Sequence, residues 1–206
     1  MTGPKKTSKT RTVIANISLS LDGRVCGPGG EYDMSWIVPH AVTETARDNM
    51  IRVTSPATTV LLGRKNYDGF SQYWPTVADN ESADPRDRDF SKWLNSVEKI
   101  VFSSTLKETT WNNSRVIFAD PAAVVEDLRQ EAGGDIIVLA SSTIIKRLLQ
   151  AGAIDQLSIT LCPEVSGGGA GLFEDGLPPS SWRPQQSVLT ETGAVCLLYD
   201  RIRDTK

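Results

Sequence analysis

Histidine and cysteine are scarce in this sequence. His40 is the one histidine, and the three cysteines include no C-x-x-C pair. A zinc site therefore has almost no side chains from which to be built. An odd number of cysteines without a pairing motif is typical of free, buried or half-buried thiols in a reducing compartment, so we expect a cytoplasmic protein. The cysteines are Cys26, Cys162 and Cys196.

Long apolar segments and an excess of positive charge are absent as well. No apolar run approaches the ~20 residues that a bilayer-spanning helix needs, and the N-terminal stretch lacks the apolar core of a signal peptide. With 22 Lys and Arg against 25 Asp and Glu, the formal net charge is −3, which argues against nucleic acid as the partner. We expect residues 1–11 to be a disordered polar tail and residues 12–206 to form a single domain.

The common phosphate-binding and nucleophile motifs are missing too. The chain has no G-x-G-x-x-G, no G-x-x-x-x-G-K-S/T and no G-x-S-x-G. The glycine-rich run 167–171 lacks the Lys-Ser/Thr tail of a phosphate loop, so we predict that it passes close to another segment. A hydrolase of the Ser-His-Asp type would depend on His40 alone and is the weakest alternative.

The sequence does contain alternating strand and helix patterns. Residues 12–22 alternate apolar and polar side chains, which predicts a strand with one packed and one polar face. Asp120-Pro121 predicts a helix start, a second helix is expected after Pro39, and the charged stretch 78–90 is predicted as a loop. This alternation indicates an α/β protein with a largely parallel sheet. The other predicted strands are 58–62, 99–102, 115–118, 135–139, 157–161 and 195–199.

Three of the predicted strands end in short polar turns. They are Gly63-Arg64-Lys65-Asn66, Ser103-Ser104-Thr105 and Ala140-Ser141-Ser142-Thr143, the last with Ser142 as the expected N-cap of a helix. Ligands of open α/β sheets bind outside the carboxyl ends of the strands, where glycine, basic side chains, hydroxyls and helix N-termini suit phosphate oxygens. Together the turns predict a cofactor with several separated phosphates, although each alone also fits a polar turn without a ligand.

Five segments in this order resemble one known family. They are residues 17–25 (ISLSLDGRV), 61–67 (LLGRKNY), 99–105 (KIVFSST), 134–138 (GDIIV), and 153–157 (AIDQL) leading to three glycines at 167–169. Over residues 12–202 the chain resembles the dihydrofolate-reductase-like superfamily, and within it the C-terminal reductase domain of bifunctional riboflavin-biosynthesis proteins. The resemblance implies a three-layer α/β sandwich with a central, mostly parallel eight-stranded sheet, and an NADPH-dependent reductase that is often a homodimer.

The resemblance also implies a role for each polar turn. One group of residues would face the 2′-phosphate of NADPH: Gly63, Arg64, Lys65, Asn66, Ser103 and Ser104. A second group would face its pyrophosphate and nicotinamide: Ala140, Ser141, Ser142 and Thr143. A third would border the substrate: Ser18, Ser20, Asp33, Trp36 and His40. Asp22 is the candidate catalytic residue, since it would polarise the substrate or order a water that completes protonation, although a plain β-turn role before Gly23 is slightly favoured.

Two departures from the family pattern bear on cofactor and substrate. The family has two or three glycines where this chain has Ala140-Ser141-Ser142, and each added Cβ narrows the space for a pyrophosphate. Trp36 and Pro39 resemble the Trp-x-x-Pro of folate reductases, but the substrate-holding acid two residues further on is Ala41 here, so dihydrofolate is not expected as the substrate.

The expected reaction is hydride transfer to a C=N or C=O bond of a small heterocyclic or sugar-linked substrate. A pyrimidine-ribose compound of riboflavin synthesis is the substrate that the resemblance names. Two alternatives stay open at the substrate side: Trp36 stacks on a heterocycle or seals the core, and His40 donates a proton or lies at the surface. The alternative from another class is a non-catalytic ligand-binding relative, which the departure at Ala140-Ser141-Ser142 favours.

Overall fold

The computed structural model describes residues 11–203 and is built around one eight-stranded sheet. Its order is β4-β3-β2-β5-β1-β6-β8-β7; the six strands from β4 to β6 pair in parallel, and β8 runs antiparallel to both β6 and β7. The α/β class with a mostly parallel, eight-stranded sheet is therefore confirmed. The strands are β1 Val13–Leu19, β2 Ala57–Gly63, β3 Glu98–Phe102, β4 Ser114–Ile117, β5 Asp135–Leu139, β6 Gln156–Leu161, β7 Ser181–Leu189 and β8 Val195–Ile202.

Helices cover both faces of the sheet and so produce the three predicted layers. On one face α5 and α6 bury Val124, Leu128 and Leu148 against the strands. On the other face α3 and α4 bury Tyr67 and Leu94. The helices are α1 Val38–Ala41, α2 Glu44–Thr54, α3 Arg64–Val77, α4 Pro85–Ser96, α5 Pro121–Gln130 and α6 Ser142–Gln150.

Two helices begin with the same Asp-Pro signal. At α5 the Asp120 carboxylate accepts the N–H of Ala122 (3.0 Å), and this helix is confirmed. At α4 the Asp84 carboxylate accepts the N–H of Arg86 (2.9 Å), so the prediction of a loop over 78–90 was wrong for its second half. Phe90 and Leu94 form the buried side of this helix, while charged residues such as Asp89 lie on its exposed side.

Other segments also differ from the sequence prediction. The helix expected after Pro39 is two helices, because Thr43 N-caps α2 and separates it from the short α1. Strand β7 was not predicted: it is an edge strand, mostly exposed, whose burial alternates weakly. The polar face of β1 is not exposed, since β1 lies between β5 and β6 and Asn16 is buried.

Arg11 was predicted as the last residue of a disordered tail, and this was wrong. Its side chain is 5% exposed and donates to the Gly134 carbonyl (2.7 Å) and to the hydroxyls of Thr58 (3.1 Å) and Thr59 (2.6 Å). A buried guanidinium with this set of acceptors joins the start of β1 to β2 and β5. The remainder of the predicted tail, residues 1–10, lies outside the described residues.

The three cysteines are free and buried, as predicted. The glycine-rich run 167–171 does pass close to another segment: a Cβ at Gly169 would stand 2.1 Å from the Cys26 carbonyl oxygen, and the Val25 N–H donates to the Ala170 carbonyl (2.9 Å). Within residues 11–203 no helix is both long and apolar enough to cross a bilayer.

Candidate functional site

The sheet order brings the three polar turns together. Strands β3, β2, β5 and β1 are neighbours and parallel, so their carboxyl ends share one edge. Ser103 follows β3, Gly63 ends β2, Ala140 follows β5, and Ser18 lies near the end of β1. The predicted 2′-phosphate residues, pyrophosphate residues and substrate residues therefore follow one another across the sheet in that order.

The junction between β2 and β5 is tied by Ser141. Its hydroxyl, in a side chain 2% exposed, accepts the N–H of Gly63 (2.9 Å) and donates to the Leu139 carbonyl (2.9 Å). Ser141 is also the N-cap position of α6, so the prediction of Ser142 as N-cap was wrong by one residue. Because the Ser141 hydroxyl is used between the strands, it makes no capping hydrogen bond.

The N-termini of α3 and α6 consequently lack side-chain caps. Gly63 is the N-cap position of α3 and has no side chain to offer, while the Ser141 hydroxyl caps nothing. Both helices start directly from neighbouring strands. Their first backbone N–H groups are thus free donors at adjacent points of the sheet edge, which is the arrangement that binds anions.

Arg64 and Lys65, the basic residues of the first turn, contact different parts of the structure. Arg64 hydrogen-bonds the Thr105 hydroxyl and stands 3.3 Å from the Asp68 carboxylate, so it lies against the 103–105 turn as predicted. Ser103 closes that turn by accepting the N–H of Leu106 (2.9 Å). Lys65 instead pairs with Glu31 in the loop after β1. Arg64 and Ser103 are brought together, and Lys65 belongs to a different contact.

A cavity of about 520 Å³ adjoins these turns at the carboxyl ends of β1, β5 and β6. Its floor is polar and includes Asn16, Ser18 and Thr160. Asn16 donates to the Ser158 hydroxyl (3.1 Å), which fixes the orientation of its amide. Ala140 also lines the cavity, with φ of +51°, a backbone conformation that favours glycine.

The walls of the cavity are apolar and come from helices on one face of the sheet. One wall is formed by α1 and α2 together with the turn before them, through residues such as Met34, Ile37 and Met50. Ala41, the position of the missing acid, lines this wall as well. The facing wall, from α3 and α4, is aromatic: Phe70, Tyr73, Trp74 and Phe90.

The sequence prediction did not include the aromatic wall, because it placed no helix over residues 64–77 and interpreted residues 78–90 as a loop. Phe70, Tyr73 and Trp74 recur at the three- and four-residue spacing of one helix face. The signal for their partner was Asp84-Pro85, which places Phe90 on a helix and leaves the charged residues around it outside. The rings pack edge to face, with 4.6 Å between the centroids of Trp74 and Phe90.

Asp22 lies outside this cavity and holds a loop. Its carboxylate accepts the hydroxyl of Ser20 (2.6 Å) and the backbone N–H groups of Ser166 (2.9 Å) and Gly167 (3.1 Å). These hydrogen bonds, that of Ser20 first, lower the pKa of Asp22 to about 2. The geometry matches the turn role, and Ser20, which is fully buried, serves the same loop rather than the cavity.

The remaining candidates of the substrate group also lie outside the cavity lining. The Asp33 carboxylate accepts the N–H of Gly29 (3.0 Å) and so closes its own loop. Trp36 is half-buried, and its indole nitrogen has no hydrogen-bond partner among residues 11–203. Of the five predicted substrate residues, the structure places Ser18 in the lining.

His40 lies neither at the surface nor in the cavity lining, so the surface alternative for this residue is wrong. The side chain is buried, with Nδ1 2.8 Å from the Thr192 hydroxyl and Nε2 3.2 Å from the Glu164 carboxylate. It joins α1 to the loop after β6 and to the β7–β8 turn. Both ring nitrogens are occupied by these partners, which leaves no serine for His40 to activate as a hydrolase base.

Similar proteins share this architecture. An uncharacterised protein of Bacillus subtilis, YyaP, is 28% identical over 193 residues, covering 93% of this chain and 95% of the relative. A crystal structure of a protein of Shewanella sp. PV-4 named for riboflavin biosynthesis superposes with a TM-score of 0.68 at 20% identity, covering 93% of this chain and 99% of that one. Enterococcus faecalis dihydrofolate reductase, complexed with NADP(H), superposes with a TM-score of 0.58 at 16% identity, covering 93% and 97%.

The family comparison covers nearly the whole described chain. Residues 11–196 match the RibD C-terminal domain family, a span that runs from β1 into β8 and contains every turn and cavity residue described above. The superpositions on reductase-like structures agree with the strand order that brings those turns together. The chain belongs to the RibD C-terminal domain family.

Proposed function

We propose that the protein is an NADPH-dependent reductase that transfers hydride to a C=N or C=O bond of a small substrate. The observation that carries the proposal is the order of features along one sheet edge: Arg64 against the 103–105 turn, then two uncapped helix N-termini, then a cavity with a polar floor. A dinucleotide has its 2′-phosphate, pyrophosphate and nicotinamide in the same order. Family membership and the NADP(H) complex of a superposable reductase support the same cofactor.

The residues present fit the cofactor chemically. The guanidinium of Arg64 and the polar turn at Ser103 and Ser104 suit the 2′-phosphate, which NADH lacks. The free N–H groups at the start of α3 and α6 suit the pyrophosphate without requiring a lysine. Ala140 and Ser18 border the place where the pyrophosphate residues meet the cavity, which is where the nicotinamide would lie.

When bound, NADPH supplies the hydride, and the chain supplies position and exclusion of water. The hydroxyls of Ser18 and Thr160 and the amide of Asn16 orient the C=N or C=O bond at the floor of the cavity. With NADPH bound, the carbon of that bond would take the hydride, and the oxygen or nitrogen would take a proton from water. With its pKa near 2, Asp22 is ionised at neutral pH, so it holds the loop and does not supply that proton.

Cofactor titration of Arg64→Ala tests the proposal. Loss of one charge-assisted contact to phosphate should weaken NADPH binding about 10- to 100-fold and leave NADH binding nearly unchanged. Arg115→Ala is the matched control, because Arg115 is similarly exposed (51% against 47%), is also paired with a carboxylate, and lies near the amino end of β4, away from the carboxyl ends of the strands.

Three possible results of this titration lead to different conclusions. If the wild-type protein binds neither cofactor, the proposal of a reductase is wrong. If Arg64→Ala weakens NADPH and NADH equally, Arg64 does not contact the 2′-phosphate. If NADPH binds selectively but no carbonyl or imine compound oxidises it, the result favours the second candidate function, that of a non-catalytic ligand-binding relative. The side chains at Ala140-Ser141-Ser142 are the observation behind this second function.

The proposal includes a small-molecule substrate, a cytoplasmic location and a homodimer. Strand β7 leaves one sheet edge unpaired, and Leu197 and Tyr199 of β8 are half-buried, so this end of the sheet is the surface that would form the dimer. Light scattering of the purified protein measures the assembly directly, and a monomer at high concentration would contradict this part.

A further inference from the structure

The charged side chains at the cavity already have partners. Arg47 stands 2.8 Å from Asp87 and 3.6 Å from Asp84. Arg86 stands 2.5 Å from Asp48, 3.2 Å from Glu44 and 3.5 Å from Asp84. Two guanidinium groups thus face four carboxylates at the rim of the cavity formed by α2 and α4, and one of these carboxylates, Asp87, lines the cavity itself.

This rim opposes an anionic ligand. Arg47 and Arg86 are the basic residues of the cavity lining within the described chain, and both are neutralised there. A phosphate or carboxylate entering the cavity would meet Asp87 at close range and would have to break an ion pair of Arg47 or Arg86 before it gained one. The other polar groups of the lining, such as Asn16 and Thr160, are uncharged.

The walls of the cavity are suited to an apolar ligand. Tyr73, Trp74 and Phe90 form a continuous ring cluster, with 5.1 Å between the centroids of Tyr73 and Trp74 and 4.6 Å between those of Trp74 and Phe90, and Phe70 lines the same wall. Aromatic faces and edges of this kind bind flat apolar rings by stacking and by burial of apolar area. The facing wall adds aliphatic side chains such as Ile37, and polar groups stay at the floor.

We propose that the substrate of this protein is an uncharged, predominantly apolar, ring-containing carbonyl or imine compound, and not a phosphorylated one. Its C=O or C=N bond lies on the polar floor at Ser18 and Thr160, and its ring lies between Ile37 and Trp74. The proposal rests on the reductase function proposed above. This substrate class differs from the phosphoribosyl substrate that the family resemblance implies. Both arginines of the lining are paired with carboxylates, so within residues 11–203 no unpaired cation of the lining is left to hold a phosphate.

Binding without cofactor tests the substrate class independently of turnover. Titration calorimetry on the full chain compares acetonaphthone, an uncharged aryl ketone, with the same ketone carrying a ring carboxylate. We expect the uncharged ketone to bind at least about tenfold more tightly, since one unfavourable charge contact is of that size near a protein surface. In the presence of NADPH the same pair then reports oxidation of the cofactor by loss of absorbance.

Three variants show whether the named groups cause the selectivity. Tyr73→Ala, at a side chain 58% exposed and therefore safe for folding, should weaken the ketone about threefold to tenfold. Asp87→Asn removes one partner of Arg47 and should strengthen binding of the carboxylated ketone several-fold while changing the uncharged one little. Asp127→Asn, on the exposed side of α5 and on the other face of the sheet, is the matched control and should change neither.

The outcomes separate this proposal from the reductase function. Equal binding of the two ketones, tighter binding of the carboxylated one, or no binding of either overturns the substrate class, whatever the cofactor does. Selective binding of the uncharged ketone without NADPH oxidation supports the substrate class as a binding preference and counts against the reductase function. Selective binding with oxidation supports both.

Discussion

Ala140→Gly tests whether this chain strains its backbone where the cofactor would pass. Ala140 has φ of +51°, its N–H donates to the Asn16 carbonyl (2.9 Å), and its side chain lines the cavity. The backbone is therefore held in a left-handed conformation at the carboxyl end of β5, beside the first turn of α6. Glycine adopts this conformation without steric cost, and it also removes the Cβ from the cleft.

The expected change in stability follows from two opposing terms. The left-handed conformation costs an L-residue about 1–2 kcal/mol, whereas glycine gives the unfolded chain additional entropy worth about 0.4–1 kcal/mol. We therefore expect Ala140→Gly to raise the free energy of unfolding by about 1 kcal/mol. Ala123→Gly is the matched control: Ala123 is exposed on α5, where the same substitution should lower the free energy of unfolding by about 0.5–1 kcal/mol.

Urea denaturation of both variants measures these changes, and NADPH titration measures the effect on the cleft. Loss of the Ala140 Cβ should tighten NADPH binding about fivefold, equivalent to ~1 kcal/mol, while Ala123→Gly should leave it unchanged. If the two variants lose the same stability, the argument from backbone strain is wrong. If Ala140→Gly gains stability but not affinity, the side chain does not narrow the cofactor path.

Two further substitutions probe buried or paired charges. Asp22→Asn should keep turnover within about threefold, because the carboxylate serves the loop; a hundredfold loss in a folded variant would instead support the catalytic role. Because the folded-state pKa of Asp22 is about 2, below the usual 3.8, the wild type should lose stability as pH falls from about 4 to about 2, and the variant should not show this contribution in urea unfolding. Lys99 is fully buried, donates to the Leu94 (2.8 Å) and Val97 (2.7 Å) carbonyls, and has a pKa lowered by burial from 10.5 to about 8. Between these pH values the unfolded chain holds the proton that the folded one has released, so stability should rise with pH by up to about 3 kcal/mol, and Lys99→Met should abolish the rise.

Local signals in the sequence were sufficient for much of the fold. The run 135–139 is a buried strand because its four consecutive apolar residues, 136–139, leave no polar face for solvent. Asp120-Pro121 starts a helix because a carboxylate satisfies a free N–H and proline needs none. The same signal at Asp84-Pro85 was outweighed by the surrounding charges, and with it the contribution of Phe90 to the cavity wall was missed.

The site depends on contacts between residues far apart in the chain. The turns at Gly63, Ser103 and Ala140 could be recognised from their residue types, since glycine, hydroxyls and basic side chains after a strand indicate an anion site wherever the strands end. Their order across the sheet could not, because it is set by which strands pair. Nor could the apolar character of the cavity, which arises where α2 and α4 bring their inner sides to the same space.

By itself the sequence determined the alternation of strands and helices, the family resemblance, and the absence of an acid at Ala41, because these depend on neighbours within a few residues. Only the tertiary structure decided which polar groups are free to act. The Asp22 carboxylate accepts a hydrogen bond from a backbone N–H 144 residues away, and the ring nitrogens of His40 are hydrogen-bonded to side chains 124 and 152 residues away. A side chain's chemistry depends on its partners, and the pairing of distant segments chooses them.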